Sequence, residues 1–120
     1  MGLIDEYLEL QQKYEETYGL KTVLVYQVGS FYEIYEVNNE REQIGKAFEV
    51  ADILNIKCTR KNKSIIGNDR SNPLMAGVQM DFFDRHLARL IEHNYTVPIY
   101  NQTKVFDKNK WVFEPINWEF

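Results

Sequence analysis

The sequence predicts a mixed α/β (α+β) domain, a small mixed β-sheet covered by about three helices. Three features lead there. Apolar residues recur at helical spacing in three places, short β-branched runs lie between them, and turn residues separate the two kinds of segment. The 120 residues fit a single domain, 1–120. With 44% hydrophobic and 27% charged residues, the composition is that of a packed chain and not of a disordered one.

The elements follow in order. Leu3, Tyr7, Leu10 and Tyr14 line one helical face, and Gly19 marks its stop. Val23 to Val28 is a short, β-branched run expected as a buried strand. Gly29-Ser30 suits a type II′ hairpin turn, after which Phe31 to Val37 returns as a second strand. Asn38 or Asn39 is expected to cap a helix whose stripe is Ile44, Ala47, Phe48, Ala51 and Leu54, ended by Asn55. Ile56 to Lys61 reads as a strand running out into a basic loop. Ser71-Asn72-Pro73 is a turn before a strand at Leu74 to Val78. Phe83, Leu87, Leu90 and Ile91 mark a third helix, ended by Asn94. Tyr95 to Gln102 is strand-like, with Pro98 arguing for an edge or a bulge. Asp107-Lys108-Asn109-Lys110 resembles a hairpin tip before a last strand at Trp111 to Phe113. Tyr32, Ile34, Phe48 and Leu87 are expected in the core, Met75 as a core gap-filler and Cys58 as a small buried residue.

Composition narrows the function classes. No apolar run approaches the roughly 20 residues of a bilayer span, and the start of the chain lacks the pattern of a signal peptide. One cysteine, Cys58, allows no intrachain disulfide, as expected of an intracellular, reducing compartment. The two histidines, His86 and His93, are too few and too far apart for a metal site, so no metal is expected. No phosphate-cradling glycine loop and no nucleophile elbow occurs. The paired acids Glu33 and Glu36 have no His or Lys beside them for acid–base work, so no catalytic residue is expected. The net charge of −4 implies weak binding to nucleic acid by this domain alone, because phosphate neutralisation supplies most non-specific affinity. The charge is uneven, however. Lys57, Arg60, Lys61, Lys63 and Arg70 form a basic segment against a single acid, Asp69.

The informative stretch is Val28-Gly29-Ser30-Phe31-Tyr32-Glu33-Ile34-Tyr35. Side chains alternate along a strand, so Phe31, Glu33 and Tyr35 share one face and Tyr32 and Ile34 the other. If the second set packs on the core, Phe31 and Glu33 project together beside a glycine turn. Such a ring can push between base steps, which costs least where a base is mispaired. A carboxyl beside it can then address a base edge. An aromatic at the start of a strand is nonetheless ordinary core in most proteins, so the spacing alone does not select this reading.

Four ordered blocks do. Gly29-Ser30-Phe31-Tyr32-Glu33-Ile34-Tyr35 resembles the G-D-F-Y-E-(L/I)-(F/Y) signature of MutS proteins. Ala51 to Lys61 resembles the family's LLDI-x-LT-KR segment, and Pro73 to Val78 its P-(I/M)-(P/A)-M-A-G-(I/V)-P segment. Leu87 to Ile91 followed by Tyr95 to Ile99 and Asn101-Gln102 resembles YLA-(K/R)-LV-x-x-G-Y-x-VAI-x-EQ. Ser30 replaces an Asp, Gln79-Met80-Asp81 replaces Pro-Tyr-His, Asn94 replaces a glycine, and Glu114 to Asn117 stands where T-P-G-T is frequent.

The resemblance implies the mismatch-recognition domain, domain I, of a MutS-like repair protein. It implies that Phe31 is an aromatic wedge at a mispaired or unpaired base and that Glu33 hydrogen-bonds that base. Arg60, Lys61 and Lys63 are candidate contacts to the DNA backbone. The expected partners are duplex DNA with a mismatch or small loop, and the other domains of a longer, dimeric protein. No membrane partner is expected. ATP and magnesium would be bound elsewhere in that protein, and no cofactor is expected in this domain. The alternative is a scaffold or protein-interaction domain that keeps the fold without reading DNA. A metal-dependent nuclease is a weaker third reading.

Overall fold

The computed structural model describes residues 2–107 and 110–116, with side chains described as far as Asn101. Its elements in chain order are α1 (Leu3–Tyr18), β1 (Val25–Val28), β2 (Phe31–Asn38), β3 (Gln43–Gly45), α2 (Ala47–Leu54), β4 (Cys58–Arg60), β5 (Leu74–Gln79), a 3-10 turn (Met80–Phe82), α3 (Phe83–Glu92), β6 (Ile99–Asp107) and β7 (Lys110–Ile116). The strands form one seven-stranded sheet in the order β4-β5-β2-β1-β6-β7, with β3 paired to the far end of β2. Only β1 and β6 run parallel; the other pairs are antiparallel. The mixed α+β sheet predicted from the pattern is present.

The sheet separates two cores, because alternate residues of each strand point to opposite sides. Helices α2 and α3 cover one side, where Val23, Val25, Ile34, Ala76, Val97 and Ile99 meet Ala47, Val50, Ala51, Leu54, Phe83 and Leu90. Helix α1 covers the other, where Tyr7 and Leu8 meet Leu24, Tyr26, Tyr35, Val37 and Ile44. Tyr7 packs edge-on against both Tyr26 and Tyr35, with ring centroids 5.2 and 5.1 Å away. Gln11 fastens α1 to the sheet. Its Nε2 donates to the Thr22 carbonyl at 2.7 Å, and its Oε1 accepts the Leu24 N–H at 2.7 Å.

The helix stops fall where the sequence placed them. Gly19 has φ +106 and its N–H bonds the Glu15 carbonyl. Asn55 takes the left-handed conformation after α2, and Asn94 takes it after α3, with φ 56 and 66. The Gly29-Ser30 turn has positive φ at Gly29 alone, as a type II′ hairpin requires, and pairs Val28 with Phe31.

Four local expectations are corrected. Asn38 and Asn39 do not cap α2. Asn38 ends β2, and Asn39 turns the chain into β3 by accepting the Arg41 and Glu42 N–H groups on its Oδ1. Ile44 therefore lies on β3, and α2 starts at Ala47. The later start leaves Ala47, Val50, Ala51 and Leu54 as the buried stripe, and Phe48 turns outward, 67% exposed. Of the other residues expected in the core, Ile34 is buried, Tyr32 and Leu87 pack partly buried against the same core, Met75 packs partly buried against the α1-side core, and Cys58 is half-buried. Pro98 lies at neither an edge nor a bulge. It immediately precedes β6, an inner strand, and its carbonyl accepts the Val25 N–H at 2.9 Å. The sheet irregularity falls instead between Asn101 and Val105. Of the expected hairpin tip, Asp107 and Lys110 pair, whereas residues 108 and 109 lie outside the described residues, as does Asn117.

Candidate nucleic-acid interface

Strand β2 carries the candidate residues, and its two faces meet different fates. Tyr32 stacks on Phe83 with centroids 4.1 Å apart and donates its hydroxyl to Asn101 Oδ1 at 2.5 Å. Ile34 is buried beside it. This is the packing that sends Phe31, Glu33 and Tyr35 to the α1 side. There the coverage is incomplete. Tyr35 is buried under Tyr7, Glu33 is half-buried, and Phe31 is 41% exposed.

The backbone under Phe31 is held on both edges. Phe31 pairs with Val28 across the hairpin and with Gln79 on β5, and the Met80 N–H bonds the Ser30 carbonyl at 3.0 Å. A large apolar ring is thus presented to solvent from a fixed strand. Met80 and Phe82, both exposed, continue the apolar surface at this end, and the Arg85 guanidinium sits 5.5 Å from the Phe82 ring centre. In the sequence Met80 stands out only as part of the Gln79-Met80-Asp81 departure, and Phe82 not at all. Their signal is an exposed Met-x-Phe following a strand, and nothing in its spacing separates that from core.

Glu33 Oε1 accepts the Tyr35 hydroxyl at 2.5 Å. Burial, then the bond to Glu33, pushes the Tyr35 phenol well above its ordinary value of 10.0. Tyr26, the neighbour of Glu33 on β1, is likewise raised by burial and by its own bond to Glu6 Oε1 at 2.8 Å.

Arg60, Lys61 and Lys63 are not brought to this site. Arg60 pairs with Leu74 at the opposite end of β5 from Gln79, the partner of Phe31. The intervening strand spans about 17 Å at roughly 3.4 Å per residue. The Arg60 guanidinium, at the end of β4, donates to the Lys63 carbonyl at 3.0 Å, and the Lys61 N–H bonds the Pro73 carbonyl at 2.9 Å, so both are tied to a folded loop. Asn72, buried, is the hub of that loop, donating to the carbonyls of Asn62, Ile65 and Gly67. Lys63 lies against Lys57, whose amine and charge lower its pKa from 10.5. Arg70 turns away from it, paired with Glu42 and Asp5.

The described residues contain no group of three or more His, Cys, Asp and Glu side chains that could hold a metal ion. They contain no helix long and apolar enough to cross a membrane.

The family profile of MutS domain I matches residues 1–119. The chain belongs to the MutS domain I family. A mutS homolog of Acanthamoeba polyphaga mimivirus, described as a putative DNA mismatch repair protein, is 32% identical over 97 residues, which are 80% of this chain and 8% of that protein. DNA mismatch repair protein MutS 1 of Halobacterium salinarum is 30% identical over 104 residues, 87% of this chain and 10% of its own length. DNA mismatch repair protein MutS of Desulfosudis oleivorans is 28% identical over 102 residues, 85% of this chain and 10% of its own. The chain spans about a tenth of each of these MutS-family relatives.

Proposed function

We propose that this chain is the mismatch-reading module of a MutS-family DNA repair protein, with Phe31 as the wedge and Glu33 as the base contact. The observation that carries the reading is the exposed Phe31 ring on a strand paired along both edges. An apolar ring costs free energy in water, and a fixed backbone lets it enter a base step without ordering first. Family membership supplies the class of ligand. Arg60, Lys61 and Lys63 then serve as backbone contacts. Lying beyond the opposite end of β5 from the partner of Phe31, they would meet phosphates away from the probed base and not those beside it. ATP with magnesium, and dimerisation, belong in this reading to other parts of the protein.

The test is Phe31→Ala in the full-length protein. Affinity is measured for a duplex with one mismatch or unpaired base and for its matched counterpart. The preference for the mismatch is expected to fall about ten- to a hundredfold, the scale of one base–aromatic stack, with matched binding unchanged. A preference that survives overturns the wedge. The net charge of −4 favours a second reading, a scaffold that keeps the fold. DNA bound by the full protein without any footprint from this domain is the result that would select it.

A further inference from the structure

Glu33 sits between two unlike neighbours. On β1 its partner is Tyr26, whose ring stacks on Tyr100 at 5.1 Å and whose hydroxyl is committed to Glu6. On β5 its partner is Gly77. Gly77 does not have the positive φ that would call for glycine. Its missing side chain matters for space instead. A Cβ there would stand 3.3 Å from Glu33 Cγ and 3.3 Å from the Tyr32 carbonyl oxygen, and 3.9 Å from Glu33 Oε2. The glutamate therefore lies towards the bare backbone of β5. Along the same face Tyr35 donates to Glu33 Oε1 at 2.5 Å. The Tyr35 ring is itself fixed edge-on by Tyr7, whose hydroxyl bonds the Leu24 carbonyl at 2.5 Å.

We propose that Tyr35 and Gly77 are positioning residues that together form a seat for the Glu33 carboxyl, one supplying a hydroxyl and the other an absent side chain. The seat commits Oε1 to the protein and presents Oε2 to the DNA. It also removes the rotamer freedom a glutamate would otherwise lose on binding, so the carboxyl meets the base already ordered. The proposal rests on Glu33 being the base contact, as read above.

The experiment uses the full-length protein and the ratio of affinities for a duplex with one mismatch and for its matched counterpart. Tyr35→Phe keeps the ring and loses the hydroxyl. It is expected to lower the ratio about three- to tenfold, the scale of one net hydrogen bond, with matched affinity unchanged. Gly77→Ala, which crowds Glu33 from the other side, is expected to lower the ratio similarly. In a Glu33→Ala background both changes should be silent. A merely structural role would move the two duplexes together and leave the ratio alone. A wild-type ratio in Tyr35→Phe beside a collapsed ratio in Glu33→Ala overturns the seat alone. A loss that persists in the Glu33→Ala background also overturns it, since the residues then act elsewhere. A wild-type ratio in Glu33→Ala itself, with Phe31→Ala still deficient, overturns the Glu33 contact and the seat with it.

Discussion

The two sides of the sheet are finished differently. On the α2 and α3 side, aliphatic residues and Phe83 close the surface over the first half of β2, and Tyr32 and Ile34 are packed there in succession. On the α1 side the cover is one helix, and the aliphatic contacts are joined by three buried tyrosines, Tyr7, Tyr26 and Tyr35, whose hydroxyls are hydrogen-bonded. Burial along that face grades from Tyr35 through Glu33 to Phe31. The contrast locates where such a site can arise. A rigid strand whose burial falls off along one face carries exposed side chains on a backbone that remains fully paired.

If that division is right, changes on the closed side should cost stability and changes at the open end should not. The largest effect is expected for Leu90→Ala. Leu90 is 1% exposed at the centre of the closed side, and truncation should destabilise by about 2–5 kcal/mol in thermal or denaturant unfolding. Gln11→Ala comes next. It leaves the buried Thr22 carbonyl and Leu24 N–H without their partner, at about 1–3 kcal/mol each, and should loosen α1 while the opposite core stays protected in hydrogen exchange. Phe31→Ala should change stability by less than about 1 kcal/mol, because a large part of the ring already meets water. A large loss would mean that Phe31 is core after all and would erase the comparison.

The smallest effect concerns acid. Hydrogen bonding from Arg70 holds the Glu42 carboxyl below its ordinary 4.5, and Ser71 holds Asp69 below its ordinary 3.8. Both pKa values are depressed on folding, so their contribution is present above those pH values and is lost as pH falls below them. Melting temperature should decline modestly on acidification below about pH 4.5, and Arg70→Gln should flatten the part due to Glu42. Both groups are exposed, so added salt should shrink the effect.

Much of this is legible in the residues. Gly19, Asn55 and Asn94 end helices because few other residues accept positive φ, and Gly29 makes the hairpin for the same reason. The alternation of β2 is enough to put Phe31 and Glu33 on one face. Local pattern misleads where it fits two conformations. Ile44 suits a helical stripe or a three-residue strand equally well, and Asn39 suits a helix cap or an Asx turn. That one ambiguity shifts the start of α2 and turns Phe48 outward.

The period of each segment, its turns and the signature that places it in the MutS domain I family are all local, written in neighbouring residues. Tertiary structure decided how burial falls off along β2, which makes Tyr35 a buried donor and Phe31 an exposed ring although both sit on one face. It also decided that Gly77 lies opposite Glu33 and that Arg60 lies at the far end of β5. Those facts depend on pairing between distant strands, and alternation within a strand carries no information about what covers it.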